Sequence, residues 1–494
     1  MEQASQLRGF FYCLKNDKIK IMDKYQPTIG LEIHIELKTK TKMFCSCLNG
    51  PLEKEPNVNI CPVCTAQPGS LPVINKQAVH SVIKTGLALN CQIAEKSWFE
   101  RKNYFYQDLP KGYQISQYEA PLCLNGKLNG VKIRRIHLEE DVGKSIHDRG
   151  DYSLVDYNRA GVPLMELVTE PDIRSAEEAK KFAQDLQLIL RYLKISDADM
   201  EKGQMRVEAN ISLNMGTKVE IKNLNSFKSV EKAIEYEIKR QKEILEENKG
   251  VIHETRGWSD NKQETFSQRT KETSEDYRYF PEPDLPPLSI NKNDVEKLKE
   301  EIPELPTARK ERFKNEYKLP EGSIDVLVSY RYLGDFFEQT ISELSAWLKS
   351  GKIKTDFDKL VKLSANYIIT EFPKFVPATD EIKITAENFA ELIYLIFIGE
   401  ISSSGAQEVL KEMFRIGGDP SQIIENQNLR QVSNKEELQA ATEKVIKNNP
   451  QAIEDYKKGK ETALQFLIGQ IMRETKGKAN PEIAAKILQK VLTG

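Results

Sequence analysis

From Ile29 to Leu37, apolar and polar residues alternate without a break. This is the period of a strand with one dry and one wet face. A helix would scatter the same apolar side chains around its whole circumference, so the run excludes that choice. The segment Gln204–Leu213 repeats the pattern, with Met205, Val207, Ala209, Ile211 and Leu213 on one face. Arg206, Glu208, Asn210 and Ser212 take the other, and Lys218 to Lys222 continue the theme after Gly216. An antiparallel sheet with a charged side is expected. One helix is expected to start at Ser175, with Glu178 completing a capping box and Ala179, Phe182, Leu186, Ile189 and Leu193 on one stripe. Another is expected from about Val230 to Leu245. The proline-rich Phe280–Pro287 ends the regular pattern.

After about Lys292 the period turns helical and stays so. Phe389, Leu392, Ile393 and Ile396 form a stripe that ends near Gly399, and Val409, Leu410 and Met413 form the next. Leu464, Leu467, Ile468 and Ile471, then Ile483, Ile487, Leu488 and Val491, make the last block. The expected fold class is α+β: an N-terminal antiparallel-sheet domain, then an all-helical region made of a helical domain and a small helical tail domain. The 494 residues exceed one ordinary core, which suggests roughly three domains. Boundaries are expected at 25–292, 293–425 and 426–494, after a disordered leader, 1–24, to which no function is given.

Lys+Arg 72 against Asp+Glu 74 leaves a net charge of -2. That argues against a generally basic nucleic-acid binder, although a local basic patch can still meet RNA. No apolar run approaches the ~20 residues of a membrane helix, so no membrane association is expected. Of seven cysteines, Cys45, Cys47, Cys61 and Cys64 share one window, and Cys13, Cys91 and Cys123 are scattered. This does not resemble the spread of a secreted disulfide framework, and a reducing cytoplasm is expected.

The clustered cysteines read Cys45-x-Cys47, thirteen residues, then Cys61-x-x-Cys64. Two close pairs joined by a short loop suit four thiolates around a structural Zn²⁺; the bland alternative is a loop of unligated cysteines. Glu32 and His34, two apart on a strand, point to one face and could hold a divalent ion or manage a proton, or could line a solvated sheet. Glu166 interrupts the apolar Val162–Val168 stretch, and a carboxylate buried there needs a partner or a metal. The run His137-Leu138-Glu139-Glu140-Asp141 supplies further oxygens, and scattered carboxylates suit Mg²⁺. Gly143-Lys144-Ser145 imitates the end of a P-loop, but Leu138 stands where its first glycine is required. Any ATP chemistry needs a different cradle.

Basic and aromatic residues interleave in Arg101–Tyr106 and in Asp276–Phe280, a mixture that can hold phosphates and stack bases or be core aromatics beside solvated charges. Lys457, Lys458, Lys460, Arg473, Lys476 and Lys478 decorate the C-terminal helices and the Gly477–Pro481 turn. They could touch an RNA backbone or simply face water.

Together these segments closely resemble the B subunits of the aspartyl/glutamyl-tRNA amidotransferases. The matching runs are Gly30–His34, Cys61–Cys64, Arg101–Gln117 (RKNYFYQDLPKGYQISQ), His137–Lys144 (HLEEDVGK) and Ser153–Pro163 (SLVDYNRAGVP). Glu220–Phe227 (EIKNLNSF), Asp276–Pro287 (DYRYFPEPDLPP) and Gly477–Pro481 (GKANP) complete them. The resemblance implies a cradle-shaped catalytic sheet domain. It implies a C–N-bond-forming ligase with glutamine as amido donor, active as a heterotrimer whose other members are the amidase and one small protein. ATP and Mg²⁺ would serve to phosphorylate the side-chain carboxylate of misacylated Glu-tRNA(Gln) or Asp-tRNA(Asn), and ammonia from the amidase would displace the phosphate. The resemblance puts catalytic Mg²⁺ ligands on Glu32, His34, Glu140 and Glu166, structural Zn²⁺ on Cys45, Cys47, Cys61 and Cys64, and tRNA contacts in the tail, where the basic residues Lys460, Arg473, Lys476 and Lys478 are the expected contacts. Gln107, Glu100 and Thr65-Ala66-Gln67 depart from the family's usual residues, none at a proposed ligand. The competing reading is a non-catalytic zinc-knuckle RNA-binding or scaffold protein within such a complex.

Overall fold

A computed structural model describes residues 24–147, 150–270, 277–375, 382–430, 435–458, 460–475, 479 and 481–493. The leader 1–23, Cys13, Lys476 and Lys478 lie outside the described residues. The chain divides into two compact units, 1–305 and 306–494.

In the first unit the strands run β1 (Pro27–Glu36), β2 (Gln92–Ile93), β3 (Lys96–Ser97), β4 (Glu100–Asn103), β5 (Tyr113–Ser116), β6 (Cys123–Leu128), β7 (Val131–Glu140) and β8 (Lys144–Ile146). They continue with β9 (Leu154–Asp156), β10 (Pro163–Thr169), β11 (Met205–Leu213), β12 (Val219–Leu224), β13 (Glu254–Ser259), β14 (Glu264–Thr270), β15 (Phe280–Pro281) and β16 (Leu288–Ser289). Nine of them make one sheet, ordered β14-β13-β12-β11-β1-β10-β7-β6-β2. Its pairs are antiparallel except β12 with β13, which run parallel. The sheet is therefore mixed at that one joint, a departure that strand alternation alone cannot reveal.

The alternation fixes the two faces. Ile29, Leu31, Ile33 and Ile35 of β1 are buried, and so are Met205, Val207, Ala209 and Ile211 of β11. Helices Ala176–Tyr192 and Phe227–Glu246 close the dry side with Phe182, Leu186, Ile189, Val230 and Ile234 in the same core. Ser175 caps the first of them by accepting from Glu178 N at 3.1 Å. The returning bond of the expected capping box lands one residue early, because the Glu178 carboxylate accepts from Arg174 N at 2.8 Å.

The unit extends past the proline-rich segment because helix Lys292–Glu300 buries Leu298 in the same core. The expected boundary at 292/293 and the division at 305/306 thus differ by that one helix. The second unit is helical, with helices Ala386–Phe397 and Ser403–Ile416 on the expected stripes: Phe389, Leu392, Ile393, Val409, Leu410 and Met413 are buried. Helices between Lys435 and Thr493 share a small core of Leu438, Val445, Leu467, Ile471 and Leu488.

Replacing Ile33 by Ala empties a site with no exposure, at a cost of about 3 kcal/mol. The melting midpoint of the first unit should fall by about 5–10 °C, whereas Glu201→Ala on the exposed turn should shift it by no more than about 1 °C. Calorimetry of the two variants checks this.

Candidate active site and metal clusters

On the wet face, pairing register sets residues of four strands in one row. His34 of β1 lies opposite Arg206 of β11 on one side and Glu166 of β10 on the other, and Glu166 lies opposite His137 of β7. Glu32 occupies the neighbouring row, beside Glu208. Two residues along β7 from His137, Glu139 stays on the same face.

The side chains converge as the register requires. His34 Nε2 stands 3.4 Å from Glu166 Oε2, 3.7 Å from Glu139 Oε1 and 3.9 Å from Glu32 Oε1. His137 Nε2 is also 3.4 Å from Glu166 Oε2. One donor atom each from Glu32, His34 and Glu166 fall within 4.8 Å of one another, and so do donors from His137, Glu139 and Glu166. Of the four expected ligands, Glu32, His34 and Glu166 come together. Glu140 is not in either group: its carboxylate accepts from Ile115 N at 2.9 Å and pairs with Lys111. Glu139 stands in the cluster, with His137 beside it; the sequence run contained both but did not say which way each points.

The electrostatics are those of too many acids in a dry place. Burial and the adjacent Glu166 push the Glu32 carboxyl up to about 7. Burial opposes ionisation of Glu166 as well, but the flanking His137 and His34 outweigh it and hold Glu166 well below the usual carboxylate range. Burial disfavours charge on His34, yet its bond to Glu166 and the charges of Glu166, Glu139 and Glu32 raise it to about 9. His137 Nδ1 is buried without a hydrogen-bond partner. Clustered hard oxygens short of positive charge, with an imidazole nitrogen at their centre, fit a divalent cation.

Basic and aromatic groups face this cluster. Lys102 of β4 interacts with the charges of Glu139 and Glu166, which outweigh burial and raise its pKa above the ordinary lysine value. Its ammonium lies 5.1 Å from the Tyr277 ring centre and 5.8 Å from that of Tyr104. Tyr279 stacks on Tyr118 at 4.7 Å, and the Arg135 guanidinium lies over Tyr118. Thus both basic-aromatic runs, distant in sequence, meet at one place.

The second cluster is the cysteine knuckle. Ligand sulfurs of Cys45, Cys47, Cys61 and Cys64 all lie within 4.8 Å of one another, an arrangement compatible with zinc. The Cys61–Cys64 sulfur separation of 3.9 Å is close to the ~3.8 Å edge of a tetrahedron with 2.3 Å Zn–S bonds. The hydrogen bond from Cys45 brings the Cys64 thiol down to about 4, with help from the Cys61 amide and Lys42. Lys42 is wholly buried, its ammonium 3.7 Å from Cys64 Sγ and 3.2 Å from the Tyr157 carbonyl. The sequence pattern found the four thiols but gave no sign of this cation. The knuckle grips the segment that feeds β10: Met43 N donates to Gly161 O at 2.7 Å, and Asn59 N to Asn158 Oδ1 at 2.8 Å.

In the tail, Lys460 is exposed and paired with Asp455 at 3.1 Å, and Arg473 is exposed in the last turn of helix Glu461–Glu474. No helix among the described residues is long and apolar enough to cross a membrane.

Comparison with known proteins decides the family. Residues 27–296 match the model of the GatB/GatE catalytic domain, and residues 339–492 that of the GatB domain. A protein of Thermoanaerobacter pseudethanolicus is 46% identical over 488 residues, covering 95% of this chain and 100% of its own length. Others from Thermotoga petrophila (46%) and Persephonella marina (47%) cover the same shares. All three are named as the B subunit of an aspartyl/glutamyl-tRNA(Asn/Gln) amidotransferase. The chain belongs to this amidotransferase B-subunit family. Within the family's catalytic-domain match lie both clusters described above, the acidic row and the knuckle.

Two measurements test these clusters. A cation that takes His34 Nε2 must displace its proton, so Mn²⁺ affinity should rise about tenfold per pH unit between pH 7 and 8.5. Below pH 7 it should fall more steeply, as Glu32 also protonates. Without the cation the sign reverses: a pKa raised to about 9 gives His34 a stabilising contribution that is complete below about 6.5 and lost as pH rises through 9. A flat Mn²⁺ affinity across that window would exclude His34 as a ligand. For the knuckle, Cys61→Ser should lose bound zinc and lower the melting temperature by ~5 °C or more, read by elemental analysis and a thermal scan.

Proposed function

We propose that the protein is the tRNA-handling, kinase-type B subunit of an amidotransferase that converts Glu-tRNA(Gln), Asp-tRNA(Asn) or both into the amidated forms. The observation that carries this reading is the row His34–Glu166–His137 with Glu32 and Glu139 around it. In this reading Glu32, His34, Glu139 and Glu166 hold Mg²⁺. When bound, that ion supplies positive charge against the phosphate oxygens of ATP.

The chain's own residues then divide the work. Glu166 stays ionised between two imidazoles, and His34 gives up its proton to act as a neutral ligand. His137 buttresses Glu166 and fixes its orientation. The aminoacyl side-chain carboxylate attacks the γ-phosphorus, ADP leaves, and the acyl phosphate formed on the substrate is open to ammonia. No proton needs to be removed from the attacking carboxylate, so the site requires charge and alignment rather than a general base. Glu140, engaged by Lys111 and the Ile115 amide, locks β5 against β7.

The knuckle thiols hold a structural Zn²⁺ that braces the approach to β10 and so the position of Glu166. Ammonia comes from a glutamine-hydrolysing amidase partner, and a third, small protein completes a cytoplasmic heterotrimer. The expected helical and tail domains, 293–425 and 426–494, grip the tRNA, with Lys460, Arg473, Lys476 and Lys478 at its backbone. The relatives' name and the sulfur and carboxylate clusters support these assignments.

In the assembled complex with misacylated tRNA, Glu166→Gln should lower tRNA-dependent ATP cleavage by about 100-fold or more while leaving the heterotrimer intact. Wild-type cleavage in that variant would remove the catalytic role and leave a scaffold.

A further inference from the structure

β4 presents neighbouring residues to opposite sides, and the two basic residues on it have different fates. Arg101 is anchored: its guanidinium makes a two-point bond to the buried Glu282, at 2.7 and 2.8 Å. Asn103 N donates to Tyr277 O at 3.0 Å, and its side-chain amide donates to Arg278 O at 2.8 Å. Together these bonds tie the segment Tyr277–Glu282 to β4. Lys102, between the two anchors, lies beside the rings of Tyr104 and Tyr277. Its register partner on β5, Gln114, donates to the Glu140 carbonyl at 2.7 Å, and Ser116 of the same strand donates to Glu139 at 3.2 Å, which sets β4 and β5 against the acidic end of β7.

Lys102 does not close onto the acids. It feels the charges of Glu139 and Glu166, yet no ion pair within 4.0 Å joins it to a carboxylate among the described residues. None of its three N–H donors has a protein acceptor there either. A flexible four-carbon stem ordinarily lets a lysine reach a nearby carboxylate. Here the ring faces offer the ammonium a weaker attraction that holds it back. An ammonium that feels carboxylates lying beyond 4.0 Å, and pairs with none of them among the described residues, fits a ligand that is cationic toward the acids and anionic toward the lysine. A metal-bound phosphate has that polarity.

We propose that Lys102 is the protein's contact to the metal-bound phosphate of the nucleotide, held off the carboxylates by Tyr104 and Tyr277 so that the phosphate can enter between them. The assignment rests on the phosphorylating role proposed above. In the step it serves, an oxygen of the aminoacyl carboxylate forms a bond to the γ-phosphorus. The bond from that phosphorus to the β–γ bridging oxygen breaks, and its electron pair leaves with ADP. Lys102 keeps its proton throughout and offsets charge on the phosphoryl oxygens.

The test uses the complete complex with misacylated tRNA and three variants, Lys102→Met, Lys102→Arg and Glu166→Gln. Three quantities are measured: kcat/KM for ATP, affinity for a non-hydrolysable Mg²⁺–ATP analogue, and Mn²⁺ affinity without nucleotide. Lys102→Met should lower kcat/KM for ATP by about 100-fold and weaken analogue binding, with Mn²⁺ affinity equal to the wild type or tighter. Lys102→Arg, which keeps the charge, should recover to within about tenfold of the wild type. If Lys102→Met stays within about threefold of the wild type while Glu166→Gln is inactive, Lys102 is not the contact. A parallel loss of Mn²⁺ affinity in Lys102→Met would also overturn the proposal, by making the lysine a structural prop. Wild-type cleavage in both Lys102→Met and Glu166→Gln would instead remove the phosphorylating role itself.

Discussion

The structure of the first unit depends on keeping a carboxylate ionised inside a sheet. Glu166 sits on a central strand between His34 and His137, each 3.4 Å away, and burial by itself would neutralise it. Two imidazoles reverse that preference, and each reaches Glu166 only because its own strand is in register with β10. A slip of one residue in either pairing would turn that strand's histidine into the core and leave the carboxylate with a single imidazole. The aliphatic face opposite therefore does more than stabilise: Ile33, Ile35, Leu138 and Met165 lock the register that the polar row requires.

Legibility from sequence follows the same division. The faces of β1 and β11 could be read residue by residue, since both strands alternate cleanly along their length. β7 could not. Its pairing with β10 shifts register near Val168 and Thr169, so the buried core positions are Val131 and Ile133 on one side of the shift, and Ile136 and Leu138 on the other. A count by twos from the start of the strand puts Glu140 on the wet face and Glu139 in the core, whereas Glu139 joins the acidic row and Glu140 is taken up by Lys111 and the Ile115 amide. The bulge is a property of the pairing, not of either segment alone. The parallel joint between β12 and β13 was hidden for the same reason, because strand direction is set by the intervening helix Phe227–Glu246 and not by local pattern.

The knuckle shows a different limit. Its four thiols are close in sequence, so spacing was enough to gather them. The charge that suits them to a metal comes from elsewhere: Lys42, wholly buried, aims its ammonium at Cys64 and the Tyr157 carbonyl. Four thiolates around a divalent ion leave a net charge of about -2, and a buried cation in contact lowers the cost of holding that charge near a core. Composition counts Lys42 as one more surface lysine. Its carbonyl partner lies in the segment before β10, so the pairing exists only once the sheet has formed.

The acidic row and the lysine near it differ in how they are held, and that difference fits the phosphorylating role proposed above. The carboxylates and imidazoles stand on the most constrained strands of the unit, where a shift of a few tenths of an ångström is resisted by core packing. Lys102 is carried on a short strand paired with β5 and tied to the segment Tyr277–Glu282 by polar bonds, Arg101 to Glu282 and Asn103 to the Tyr277 and Arg278 carbonyls. A site of this kind needs rigid ligands, because a metal's oxygens must be preorganised. It also needs a cation that does not collapse onto those ligands when the site is empty, since an ammonium paired with Glu139 would have to be pulled away before a phosphate could bind. Aromatic rings meet that requirement at low cost: they attract the charge without competing for all its hydrogen bonds. The two tyrosines beside Lys102 thus belong to the electrostatic design of the site as much as the acids do.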